Sequence, residues 1–136
     1  MKRLFYLSLL LLFVACNGQM KKLDDSIFIH DNSSKVWLIE KLLNDGKDYT
    51  PVPFEYHEII VFHQTKNAYI YRINELGKKG KKMTFNLNRE NNTLVFRSTK
   101  GNYLFDIILL QRKKIILKPK NKTYPFTMVL VPFPEY

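Results

Sequence analysis

The chain has 136 residues, of which 46% are hydrophobic and 14% aromatic, with ten Phe, eight Tyr and a single Cys. That length makes one ordinary domain, able to bury roughly two thirds of its unfolded surface. One cysteine excludes an internal disulfide, so packing and backbone hydrogen bonds must supply the stability, while a formal charge of +10 points towards anionic surroundings.

The chain opens with Lys2 and Arg3, followed by an eleven-residue stretch, 4–14, that is apolar apart from Ser8, and then by the small residue Ala15. This is the order of a secretory signal. Eleven residues cover about 16 Å as a helix, roughly half the hydrocarbon thickness of a bilayer, which is too short for a permanent span. Residues 1–15 are therefore read as a signal peptide. Removing Lys2 and Arg3 with it lowers the charge to +8.

Leu12-Phe13-Val14-Ala15-Cys16 resembles the lipobox of bacterial lipoproteins, with Phe13 where Leu is usual. The resemblance implies cleavage between Ala15 and Cys16 and lipidation of Cys16 by diacylglycerol and a further acyl chain such as palmitate. Each buried methylene contributes about 0.8 kcal/mol, and two or three chains anchor where one holds only reversibly. The alternative is an ordinary signal cut nearby that leaves Cys16 a free thiol, a liability in an oxidising compartment. Asn17 stands where enteric lipoproteins retained in the inner membrane often have Asp, so the same resemblance implies the outer membrane. Residues 16–26 have little apolar content and no periodicity, as expected of a flexible tether. Asp25-Ser26-Ile27 also matches a short envelope glycosylation motif, but residues this common carry little information.

Residues 27–136 form the expected domain. Short runs rich in β-branched and aromatic residues predict strands at 35–43, 58–63, 68–73, 82–87, 93–98, 103–110, 115–118 and 124–131, the pattern of an all-β fold. Asp45-Gly46, Asn91-Asn92 and Lys100-Gly101-Asn102 suit tight turns, making consecutive strands antiparallel neighbours. Met83, Phe85 and Leu87 share one face of their strand, with Lys82, Thr84 and Asn86 on the other. Residues 107–110 and 129–131 are apolar on both faces, although Asp106 places part of the first run in water. Residues 33–46 are ambiguous: Ser33 or Ser34 could cap a helix and Gly46 end it, but Val36-Trp37-Leu38-Ile39 favours a strand. Pro51 and Pro53 restrict 50–54 to an edge or loop.

The lipobox, the tether, the early strand with the lone Trp37, an aromatic strand pair and successive hairpins together resemble the lipocalin-like lipoproteins of Gram-negative envelopes. The likeness covers roughly residues 35–132, and Lys35 replaces the Gly that true lipocalins carry two residues before this Trp. It implies an antiparallel lipocalin-like barrel, closed or partly open, of about eight short strands, holding either an apolar ligand or a packed core.

The functional signals are weaker. Lys78, Lys79, Lys81, Lys82, Arg112, Lys113 and Lys114 are candidate contacts for anions or lipid headgroups, against the plainer reading of solvated hairpin tips. Gly77-Lys78-Lys79-Gly80 matches the phosphate-clamping loop of KH domains in letters only, because it joins strands, and no nucleic-acid partner is expected. His57 and His63 lie six residues apart, about 20 Å in an extended strand, too far to share a metal ion, and Glu55 and Glu58 add no third ligand. No nucleophile elbow or nucleotide loop is present, so neither catalysis nor a cofactor is expected. Tyr69, Tyr71 and Tyr103 could stack on sugars but suit the outer face of a sheet. Three functions remain. The first is docking of an envelope protein partner on the apolar outer faces of 107–110 and 129–131. The second is carriage of a lipid or small apolar ligand in the barrel. A hydrolase comes third.

Overall fold

The computed structural model describes residues 26–133. The signal segment, Ala15, Cys16 and the tether up to Asp25 lie outside the described residues. Ser26 leads into a one-turn helix α1 (Ile27–His30), followed by β1 (Ser34–Asn44), β2 (Lys47–Asp48), β3 (Glu58–His63), β4 (Asn67–Arg72), β5 (Lys81–Asn88), β6 (Thr93–Ser98), β7 (Gly101–Gln111), β8 (Lys114–Pro119) and β9 (Thr127–Pro132).

Consecutive strands pair antiparallel, and β9 returns to pair with β1 through registers such as Ile39 with Leu130, so eight strands close into a barrel and β2 is an additional short strand. Closure removes every free edge except that of the small β1–β2 extension. Within 33–46 the chain is a strand over Ser34–Asn44, and the helical alternative is excluded. β1 is the spine of the barrel, pairing with β3 through residues 34–38, with β9 through 37–43 and with β2 at Leu43 and Asn44. Asp45 (φ 50°) and Gly46 (φ 76°) both adopt positive φ, as a primed two-residue turn requires.

Alternation then sorts the side chains. Met83 and Phe85 point inward with Ile60, Phe62, Phe96 and Phe105, and Trp37 is fully buried at the centre of this core. Two bulges modify the period, one between Ile39 and Lys41 and one between Ile107 and Leu109. The second turns Ile107 and Leu110 towards the core and leaves Ile108 outside, 59% exposed. The apolar outer faces expected at 107–110 and 129–131 are accordingly smaller than alternation suggested, since Val129 is itself buried.

A meander sends alternate turns to opposite ends. One end carries the 64–66, 89–92 and 112–113 turns and is plugged by α1, whose Ile29 is buried and whose carbonyl accepts a 2.9 Å hydrogen bond from Trp37 Nε1. Asp31, in the left-handed conformation, ends the helix, and the Asn32 N–H donates to His30 Nδ1 at 3.0 Å, leaving His30 Nε2 to meet Ser26 Oγ at 3.2 Å. Lys35 lies beneath this plug, with Nζ 4.3 Å from the centre of the Trp37 ring and 2.6 Å from the Arg112 carbonyl. Burial holds the Lys35 ammonium below its usual pKa, Asp31 at 3.8 Å opposes that shift, and Arg112 adds to it. The other end is open.

Candidate functional site

The open end leads into a cavity of about 310 Å³ inside the barrel. Its walls come from inward positions near the open ends of the strands: Ile39 on β1, Ile60 on β3, Ile70 on β4, Met83 on β5, Phe96 on β6, Phe105 on β7 and Met128 on β9. The lower half of the barrel is filled by Trp37, Phe62, Leu94, Ile115 and Leu117, so the cavity has an apolar floor.

An aromatic series descends from rim to floor. Tyr49 meets Phe126, Phe126 meets Tyr124, Tyr124 meets Phe105, and Phe105 continues through Phe96 to Phe62, with centroid steps between 5.5 and 5.9 Å. Tilted and edge-on contacts at this spacing match the ring quadrupoles and hold the wall in one arrangement. The 120–126 loop brings Tyr124 over the mouth and is tied to the start of β7 by Asn121 Nδ2 donating to the Asn102 carbonyl at 3.2 Å.

Polar groups are confined to the rim, where Glu58, Lys81, Lys82, Ser98, Thr99, Lys100, Tyr103 and Tyr124 surround the opening. Burial pushes the Tyr124 phenol well above its ordinary pKa, and the Glu58 carboxylate pushes it further in the same direction. Tyr124 therefore stays a neutral donor at any physiological pH. An apolar floor under a ring of hydroxyls, ammonium groups and one carboxylate can enclose a hydrocarbon body and hydrogen-bond its polar end.

The seven basic residues singled out in the sequence do not form one patch. Lys78 and Lys79 occupy the loop between β4 and β5, and Lys81 and Lys82 begin β5 at the cavity mouth, whereas Arg112, Lys113 and Lys114 form the β7–β8 turn at the plugged end. Three strands separate the two turns, and an odd number puts them at opposite ends of a meander. Lys100, from the β6–β7 turn, joins the mouth instead. Tyr69 and Tyr71 are neighbours on the outer face, with centroids 6.4 Å apart, as expected, but Tyr103 packs against the core and lines the cavity. His57 hydrogen-bonds the Pro51 carbonyl through Nε2 at 2.8 Å, while His63 sits on β3 with Nδ1 2.6 Å from Ser34 Oγ. Among the described residues no group of three or more His, Cys, Asp or Glu side chains could hold a metal ion.

Sequence reading missed Tyr124 and the inward role of Glu58. Extending the alternation of Ile60 and Phe62 back by two residues would have placed Glu58 inside. A second hollow of about 470 Å³ lies beside α1, bordered by His30, Asn32, Gln64, Lys66 and Asn86. Ile27, Phe85 and Leu87 complete a wall that mixes polar and apolar groups, where that of the first is mostly apolar, and His30 is already engaged by Ser26 and Asn32. No protein family, no characterised protein and no solved structure matches the chain in comparisons with each.

Proposed function

We propose that this is a lipid-anchored protein of the bacterial cell envelope that takes a small apolar or amphiphilic molecule into the open half of its barrel. The observation that carries the reading is the cavity of about 310 Å³ with aliphatic and aromatic walls and a polar rim, at the lower end of the size range of small-molecule sites. Its volume corresponds to about ten liquid-water volumes at roughly 30 Å³ each, which suits a short acyl chain or a compact ring system. The envelope and outer-membrane address, the acyl anchor on Cys16 and the lipocalin-like kinship all derive from the sequence: the lipobox, Asn17 and the early Trp37.

Native mass spectrometry of the full chain tests the cavity through a co-purified small molecule, and titration with an apolar fluorophore tests it directly. Ile70→Trp, which places an indole in the cavity, should abolish fluorophore binding without lowering the unfolding midpoint. Equal binding by both proteins would refute the reading. The acyl mass increment on the mature chain should vanish with Cys16→Ser.

A second reading, docking of an envelope protein partner, is supported by Ile108, 59% exposed on the outer face of β7. Crosslinking in intact envelopes from a photoreactive group at position 108 should capture one partner under that reading.

A further inference from the structure

The cavity is not the only feature at the open end. Between β2 and β3 the chain leaves the sheet. The Tyr49 N–H still donates to the Leu42 carbonyl at 2.7 Å, continuing the pairing of β2 with β1, and β3 resumes against β1 at Ile59 and Leu38. Residues 50–57 bulge from that interruption. Pro51 and Pro53 bracket Val52 at 95% exposure, and Phe54 and Tyr56 follow at 53% and 44%. The bulge is held firmly in place. Its 3-10 turn Phe54–Tyr56 packs beside the turn Ile73–Glu75, the Ile73 N–H donates to the His57 carbonyl at 2.9 Å, and the Phe54 ring meets His57 at 5.4 Å and Phe133 at 6.2 Å. Leu76, half exposed, continues the apolar surface onto the neighbouring loop.

The same neighbouring loop carries the charge. Lys78 and Lys79 follow Leu76, Lys81 and Lys82 come next, and Arg72 precedes the turn, whereas the acidic residues of the two loops are Glu55 and Glu75, of which Glu75 is 3.6 Å from Lys78. Protein interfaces exclude lysine from their apolar centres. Tyrosine and aliphatic side chains edged by lysines instead suit the headgroup boundary of an anionic bilayer, where rings and methyl groups enter and each lysine near the surface adds attraction.

We propose that the bulge 50–57 and the adjoining 73–82 loop form a membrane-docking surface: Val52, Phe54, Tyr56 and Leu76 enter the interface of an anionic lipid bilayer, and Lys78, Lys79, Lys81 and Lys82 contact its phosphates. The surface lies beside the cavity mouth and acts independently of any acyl chain on Cys16 and of whether the cavity is occupied.

The test uses the full chain carrying Cys16→Ser, so that Val52→Cys supplies the single thiol for an environment-sensitive fluorophore. On vesicles of phosphatidylglycerol and phosphatidylcholine the label at position 52 should shift to the blue, while the same label introduced by Glu90→Cys at the plugged end should not. The plugged-end label controls for membrane attachment through the signal segment. Replacing Lys78 and Lys79 together by Ala should weaken the position-52 signal roughly tenfold to thirtyfold, and pure phosphatidylcholine should give little response. An unshifted label at position 52, or equal shifts at 52 and 90, would overturn the proposal whatever the fluorophore titration of the cavity shows.

Discussion

The two ends of the barrel are built from the same strands and do opposite things. At the plugged end, inward side chains meet across the axis and α1 closes the opening, so Trp37, Phe62 and Leu117 are fully buried. At the open end the equivalent positions of β1, β4, β5 and β9 are Ile39, Ile70, Met83 and Met128, which line a cavity without filling it. The fully buried side chains are concentrated in one half and the cavity in the other. A closed barrel permits this division because the backbone hydrogen bonds of the open half are satisfied by closure and do not depend on a filled interior.

The largest test of this division is Trp37→Ala. It removes the central ring and the hydrogen bond that holds α1, and should cost about 3–5 kcal/mol in denaturant unfolding. Met128→Ala removes a side chain whose neighbours already border empty space, so its cost should fall near the low end of such truncations, about 2 kcal/mol. Comparable losses from the two variants would break the contrast between the halves. Lys35→Met keeps the stem over Trp37 but loses the bond to the Arg112 carbonyl, and should lower stability by about 1 kcal/mol in the same assay. The smallest effect at neutral pH concerns Tyr124. Its phenol has a higher pKa folded than the 10.0 of the free group, so its contribution is complete below about pH 10. Above that pH the unfolded chain loses its proton first, and stability should fall with rising pH. Tyr124→Phe should remove that part of the alkaline slope in pH-dependent unfolding.

Much of the fold is legible in the chain. Met83, Phe85 and Leu87 announce their inward face by alternation, and Asp45-Gly46 announces its turn by tolerance of positive φ. α1 was not legible, because Ile27-Phe28-Ile29 reads as β-forming and a single turn has no helical period to display. It exists because Ile29 fills the barrel end and its carbonyl receives the Trp37 N–H. The bulge that expels Ile108 was hidden for a related reason: in an unbroken apolar run such as 107–110 there is no polar residue to reveal a change of phase. The site was half legible. The lysines at 78–82 were visible as a charge run, but their separation from Arg112, Lys113 and Lys114 follows from strand count, and Tyr124 reaches the cavity only through the course of the 120–126 loop. Cavity volume depends on how side chains meet across the axis, which no local pattern encodes.

The plug has one more consequence. Trp37 Nε1 holds the Ile29 carbonyl of α1, and the Phe133 N–H bonds the Val36 carbonyl, so both extremities of the described chain are pinned to neighbouring residues of β1. Force applied across those two points therefore bears first on β1, the strand through which the barrel closes.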